Sequence, residues 1–118
     1  MRDLAPEIIR QRLLMEGFYS VNIDRPVVES YLLGLASHLD LRTYGTPTVH
    51  TPGGLGKEEN QGFDAFVPLI DSGISLYVWS STKFFASLLF TCKRFDTKRA
   101  INYTREFFRT SEMEHQLF

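Results

Sequence analysis

One cysteine, Cys92, is all this 118-residue chain has. That excludes an intramolecular disulfide and every multi-cysteine metal site. The three histidines, His38, His50 and His115, show no metal-ligand spacing, so no metal is expected. An excess of one charge is missing too. With 13 basic and 14 acidic residues and a net charge of -1, there is no electrostatic footprint for nucleic acid or an anionic membrane surface. No apolar run approaches the roughly 18 to 20 residues that span a bilayer. The opening Met1-Arg2-Asp3-Leu4-Ala5-Pro6-Glu7 lacks the basic-then-apolar layout of a secretion signal. The expectation is a cytoplasmic protein with one domain over residues 1-118.

Aromatic residues are what the chain has in excess. They make up 14% of it, ten of them Phe, more than a domain this small hides by itself. Pro6 followed by Glu7 to Leu14 reads as a short peripheral helix with proline near its first turn. Phe18 to Ile23 alternates and reads as a strand. Asp24 is a natural cap for an amphipathic helix from about Arg25 to Leu39, with Val28, Tyr31, Leu32, Leu35 and Leu39 on one stripe. Leu41 to Val49 reads as a second strand. The glycine-rich stretch Thr51 to Gly62 reads as a mobile surface loop.

Three apolar stretches follow, Phe63 to Ile70, Ile74 to Trp79 and Phe84 to Cys92, separated by Asp71-Ser72-Gly73 and Ser80-Ser81-Thr82-Lys83. Such tight connections make them antiparallel neighbours. Asp96 caps a last helix carrying Ala100, Tyr103, Thr104, Phe107 and Phe108 on one stripe, and Ser111 to Phe118 reads as a frayed end. The fold class is therefore α+β, helices on an antiparallel sheet.

Both faces of the sheet are apolar. Phe63, Ala65, Val67 and Leu69 oppose Phe66 and Ile70, and Phe84, Ala86, Leu88 and Phe90 oppose Phe85 and Leu89. Helices cover one face. The other is expected to pack on the sheet of a second copy, giving a homodimer; the alternative is that the N-terminal helix covers it.

The run Asp71-Ser72-Gly73-Ile74-Ser75-Leu76-Tyr77-Val78-Trp79, continuing to Phe90-Thr91-Cys92, resembles the core of bacterial, pyruvoyl-dependent S-adenosylmethionine decarboxylase. That family carries an acidic residue then serine at a self-cleavage site, a strand ending in tryptophan, and a Phe-Thr-Cys strand end. The resemblance puts the cleavage serine on Ser72, the acidic partner on Asp71, the tryptophan on Trp79 and the catalytic cysteine on Cys92. It implies a two-layer α+β sandwich that dimerises sheet to sheet into four layers. It also implies a pyruvoyl group derived from Ser72, which condenses with the substrate amine and withdraws electrons as CO2 leaves. Cys92 then returns a proton to the α-carbon.

Several helpers differ from the family pattern. Its processing histidine falls on Tyr77 and its second processing serine on Asp64. The histidine after the cleavage serine is Gly73, the cleaved glutamate is the shorter Asp71, and the Pro-Glu after the tryptophan is Ser80-Ser81. A phenol holds its proton at pH 7, where an imidazole gives and takes one. An ionised carboxylate accepts a proton but offers no donor to an oxyanion. An Asp64/Tyr77 pair is still able to drive the elimination.

Without the resemblance, Asp71-Ser72-Gly73 is an ordinary strand connector, and Cys92 a small apolar residue. Trp79 packs in the core or stacks on a planar ring. Glu58 and Glu59 are solvated, or attract a cationic substrate under a closing loop. Gly54-Leu55-Gly56-Lys57 lacks the Ser/Thr and the strand-loop-helix setting of a phosphate loop. Two functions stand. One is a decarboxylase acting on a small-molecule amine, S-adenosylmethionine in polyamine and spermidine synthesis or another amino acid. The other is a non-cleaving dimer that binds a ligand or regulates.

Overall fold

Two aspartates start the two helices. The Val27 amide donates to the Asp24 carboxylate at 3.0 Å and opens α1 (Arg25–His38), with Pro26 in the first turn where a missing N–H costs nothing. The Arg99 amide donates to Asp96 at 3.2 Å and opens α2 (Thr97–Phe108), which ends at Arg109 in the left-handed region, φ 48°. The computed structural model describes residues 1–118 and lays both helices on one face of a six-stranded sheet. Its strands are β1 (Gln11–Phe18), β2 (Thr48–His50), β3 (Gly62–Leu69), β4 (Ser72–Trp79), β5 (Phe84–Thr91) and β6 (Met113–Leu117). The order is β2-β3-β4-β5-β1-β6, and every neighbouring pair is antiparallel. No helix is long and apolar enough to cross a membrane.

Alternation decides which side chains meet the helices. Leu13 and Met15 of β1, Val67 and Leu69 of β3, Ile74 and Leu76 of β4, and Phe85 and Leu89 of β5 are buried against Tyr31, Leu32 and Leu35 of α1 and Phe108 of α2. Phe108 stacks on Phe85 with ring centroids 4.3 Å apart and lies 4.8 Å from Tyr31. The Tyr31 hydroxyl donates to Ser87 Oγ at 2.8 Å and shares a hydrogen bond with Thr104 Oγ1 at 2.9 Å. This three-way link ties α1, β5 and α2 at the centre of the core.

The sequence expectations hold for both helices and for the β3-β4-β5 meander. Four segments differ. Residues 7–14 form no helix: Gln11 onward is β1, an inner strand between β5 and β6. The strand expected at Phe18 to Ile23 ends at Phe18. Leu41 to Val49 contributes one isolated bridge, Thr43 to Leu69, before β2. The expected frayed end is strand β6, paired with β1 from Gly17↔Met113 to Leu13↔Leu117. With no N-terminal helix, nothing helical covers the second sheet face, where Phe66, Tyr77 and Phe90 are 44%, 41% and 41% exposed.

Burial pushes the Tyr31 phenol up to about 12, against the pull of its Ser87 and Thr104 hydrogen bonds. An unfolded tyrosine loses its proton near pH 10. Stability from this group is therefore intact below pH 10 and falls between pH 10 and about 12, by about 1.4 kcal/mol per pH unit. Tyr31→Phe orphans two buried hydroxyls. In urea unfolding at pH 7 it is expected to cost about 1–3 kcal/mol, and the mutant's alkaline decline should be shallower than the wild type's.

Candidate functional site

The pairing Leu69↔Ser72 leaves two residues, Ile70 and Asp71, to turn the chain from β3 into β4. Asp71 takes φ 67°, a left-handed conformation that costs most L-residues roughly 1–2 kcal/mol and that aspartate tolerates better than most. The turn is clamped on both sides. The Ile70 amide donates to the Arg42 carbonyl at 2.9 Å, and the Cys92 amide donates to the Asp71 carbonyl at 2.8 Å.

Ser72 opens β4 opposite Thr91 of β5 and Leu69 of β3. It has the same parity as buried Ile74, Leu76 and Val78, which puts it on the helix-covered face. Its Oγ is buried and has no hydrogen-bond partner. A buried hydroxyl left unpaired costs roughly 1–3 kcal/mol, so its persistence calls for a reason. Immediately before it stands a carbonyl that already accepts an N–H. The same N–H would meet negative charge growing on that oxygen.

The Thr91 hydroxyl accepts from the Lys93 amide and donates to the Lys93 carbonyl, both at 2.7 Å, closing a tight turn around Cys92. Cys92 itself is exposed, at the end of β5 next after Thr91. Beside Ser72, a Cβ on Gly73 would stand 2.8 Å from the Phe66 ring. A histidine at that position would have to displace the ring.

Asp71, Ser72 and Cys92 are thus together at one end of the sheet. Asp64 and Tyr77 are brought together elsewhere, directly opposite one another on β3 and β4 and both exposed. Tyr77 is five residues beyond Ser72, about 16 Å along the strand, and that odd offset puts it on the opposite face. His50 pairs with Asp64 from the other side, extending the row to His50, Asp64 and Tyr77 across three strands. Sequence reasoning did not single out His50; the alternation of Thr48, Val49 and His50 was its one signal. It also missed the Cys92 backbone amide, which no side-chain pattern announces.

Trp79 ends β4, farther still from Ser72. Its Nε1 donates to Asn60 Oδ1 at 3.0 Å, and its ring packs 5.3 Å from Phe84. A cavity of about 440 Å³ lies beside it, lined by loop residues Pro52, Leu55, Gly56, Lys57 and Asn60 together with Asp64, Val78 and Trp79. Glu58 and Glu59 sit on the exposed 3-10 turn Glu58–Asn60 and do not line this cavity. No group of three or more His, Cys, Asp or Glu side chains is gathered in a way that would hold a metal ion.

Gln61 holds the loop in shape. Its amide donates to the Leu55 and Lys57 carbonyls at 2.8 and 3.1 Å, and its oxygen accepts from the Gly54 amide at 3.1 Å. Gln61→Ala should raise hydrogen exchange severalfold across residues 54–60 and leave the amides of β4 and β5 unchanged, as read by mass spectrometry.

Against known proteins, the crystal structure of the adenosylmethionine decarboxylase from Aquifex aeolicus VF5 superposes with a TM-score of 0.72 at 19% identity, covering 94% of this chain and 89% of that one. The two share a fold. No curated protein sequence matches the chain. The sequence model of the S-adenosylmethionine decarboxylase family matches residues 18–118, the stretch that holds the β3-β4 turn, Ser72 and Cys92. The family is generally pyruvoyl-dependent, and a serine hydroxyl next to a carbonyl that accepts an N–H is compatible with that group. By this match over most of its length, the chain belongs to the S-adenosylmethionine decarboxylase family.

Proposed function

We propose that the chain is a pyruvoyl-dependent decarboxylase that cuts itself between Asp71 and Ser72 and acts on a small amino-acid substrate. S-adenosylmethionine, on the route to polyamines, is the substrate the family name supplies. The chemistry at Ser72 and Cys92 asks only for an α-amino acid. The observation that carries the reading is the Cys92 amide on the Asp71 carbonyl, beside a buried Ser72 hydroxyl that has no hydrogen-bond partner.

In maturation, Ser72 Oγ attacks the Asp71 carbonyl carbon. The C–O bond forms, the C–N bond breaks, and the hydroxyl proton passes to the freed Ser72 nitrogen. The Cys92 N–H holds the transient oxyanion, and the left-handed Asp71 relaxes as its peptide opens. Removal of the Ser72 α-proton then expels Asp71 as a free carboxylate and leaves dehydroalanine at position 72. Water converts this to the pyruvoyl end and releases ammonia. That end supplies a ketone to engage the substrate amine and draw off electrons as CO2 departs. The Cys92 thiol, exposed at the strand end, is the proton donor to the α-carbon.

Asp64 and Tyr77 lie too far along β4 to assist the Ser72 of their own chain. The exposed Phe66 and Phe90 of the uncovered face favour a homodimer stacked sheet to sheet. A non-cleaving, ligand-binding dimer is the second reading. The observation that favours it is Tyr77 standing where the family has a histidine.

Refolding time courses followed on denaturing gels test the reading. Wild type should split after residue 71, and Ser72→Ala should not. Cys92→Pro removes the N–H and is expected to slow cleavage by about 10²–10³-fold. Cys92→Ser should cleave and turn over poorly. Full-length wild type that never splits would leave the non-cleaving reading. In light scattering, the wild type should have twice the chain mass and Phe66→Glu/Phe90→Glu the mass of one chain.

A further inference from the structure

Two recesses of opposite charge flank Leu14 on β1. One, of about 360 Å³, is lined by Arg10, Arg12 and Arg94 and by no carboxylate. The other, of about 230 Å³, is lined by Leu14, Glu16 and Glu114 with His115 and Gln116. Arg12, Leu14 and Glu16 alternate along β1 with buried Leu13 and Met15, so all three belong to the uncovered face of the sheet. Ser72 lies on the other face, and its chemistry uses neither recess.

Each recess carries a cost that one chain leaves unanswered. Glu16 stands directly opposite Glu114 across β1 and β6, and like charges in that relation destabilise a sheet. Neither has a cationic partner, since the ion pairs of the chain join Arg10 to Asp3 and Arg99 to Asp40. Arg12 has no acidic partner either, and its buried Nε bonds to nothing. Its guanidinium is held 5.5 Å from the centre of the Phe118 ring, and the Phe118 amide donates to the Arg12 carbonyl at 3.2 Å. Within the chain Arg12 and Glu16 do not pair; four residues, about 13 Å of strand, separate them, with Leu14 between.

The ladders set these groups on three levels across the sheet. Arg12 and Phe90 share the first level. Leu14, Leu88, Ser75 and Phe66 share the middle one, and Glu16, Ala86, Tyr77 and Asp64 the third. Two copies stacked face to face with aligned strands share a two-fold axis in the plane between them. An axis along the strands lays each level on itself. It leaves Arg12 without a carboxylate and gathers Glu16, Glu114 and Asp64 of both copies into one stripe. An axis across the strands, along the middle level, exchanges the outer two. Arg12 then faces Glu16 and Glu114 of the second copy, Phe90 faces the small Ala86, and Leu14, Leu88 and Phe66 meet their own counterparts. Stacked sheets lie about 10 Å apart, a gap that an arginine and a glutamate extended toward each other close.

We propose that the uncovered face is self-complementary in this second way: two copies stack about an axis across the strands, and Arg12 of each pairs with Glu16 and Glu114 of the other. The inference rests on the homodimer reading above and fixes its register. One contact, made twice by symmetry, answers both the carboxylate pair and the unpartnered guanidinium.

Charge reversal in full-length chains, read by light scattering, tests it. Arg12→Glu removes the cation and Glu16→Arg the facing anion, and each alone should raise the dimer dissociation constant by about a hundredfold or more. An equal mixture of the two variants should return to twice the chain mass, because each supplies the charge that the other lacks. The double variant Arg12→Glu/Glu16→Arg should do the same by itself. If circular dichroism shows that the reversed chains lose their fold, Arg12→Gln and Glu16→Gln decide instead. Each should weaken the dimer about tenfold, and both together no more than either alone. A mixture that stays at the mass of one chain, single variants that dimerise like wild type, or neutral substitutions whose effects add would each overturn the proposal and leave the homodimer reading standing. Wild type at the mass of one chain overturns both.

Discussion

A single backbone hydrogen bond, from the Cys92 amide to the Asp71 carbonyl, joins the turn at the start of β4 to the end of β5. Through it the residue that would return a proton to substrate also grips the bond that would be cut to make the prosthetic group. The rest of the fold serves this contact. The β4-β5 ladder runs in register from Trp79↔Phe84 to Ser72↔Thr91, so the placement of Cys92 against Asp71 is the last step of a continuous pairing. A one-residue slip would break it and turn every core residue of β5 outward.

The core protects that register. Tyr31, Ser87 and Thr104 form a polar knot that fixes both helices to β5, while Phe108 stacks on Phe85, two residues from Ser87 on the same strand. Buried polar groups that are fully paired specify one arrangement more sharply than apolar packing alone. Ser72 Oγ is the contrasting case, a buried hydroxyl with nothing to bond. Its neighbour Asp71 is one of four non-glycine residues with positive φ. Unpaired hydroxyl and left-handed carbonyl meet at one peptide, as at a site where folding free energy is held in reserve for chemistry.

Much of this was legible in the residues, for identifiable reasons. Asp24 and Asp96 announced the helices because a cap is a local interaction between a side chain and an amide three residues on. The β3-β4-β5 meander was legible because its connections are short. The first strand was hidden because Leu14 and Phe18 on its outer face are as apolar as Leu13 and Met15 on its inner one, leaving no period of two to read. The last strand was hidden because Met113 to Leu117 is a polar edge whose pairing depends on β1 alone. At the candidate site, Ser72 and Cys92, which the motif singles out, lie at the same end of the sheet. The odd offset from Ser72 to Tyr77 already separated those two onto opposite faces. The Cys92 amide was beyond reach, since every residue but proline has one.

Intact-mass spectrometry of the purified wild-type protein, before and after borohydride treatment, tests the central claim most directly. Self-processing at the gripped peptide predicts two fragments, residues 1–71 and residues 72–118, the second lighter than a serine-started fragment and gaining two hydrogens on reduction. One species at the mass of the unbroken 118-residue chain, unaltered by borohydride, would contradict it.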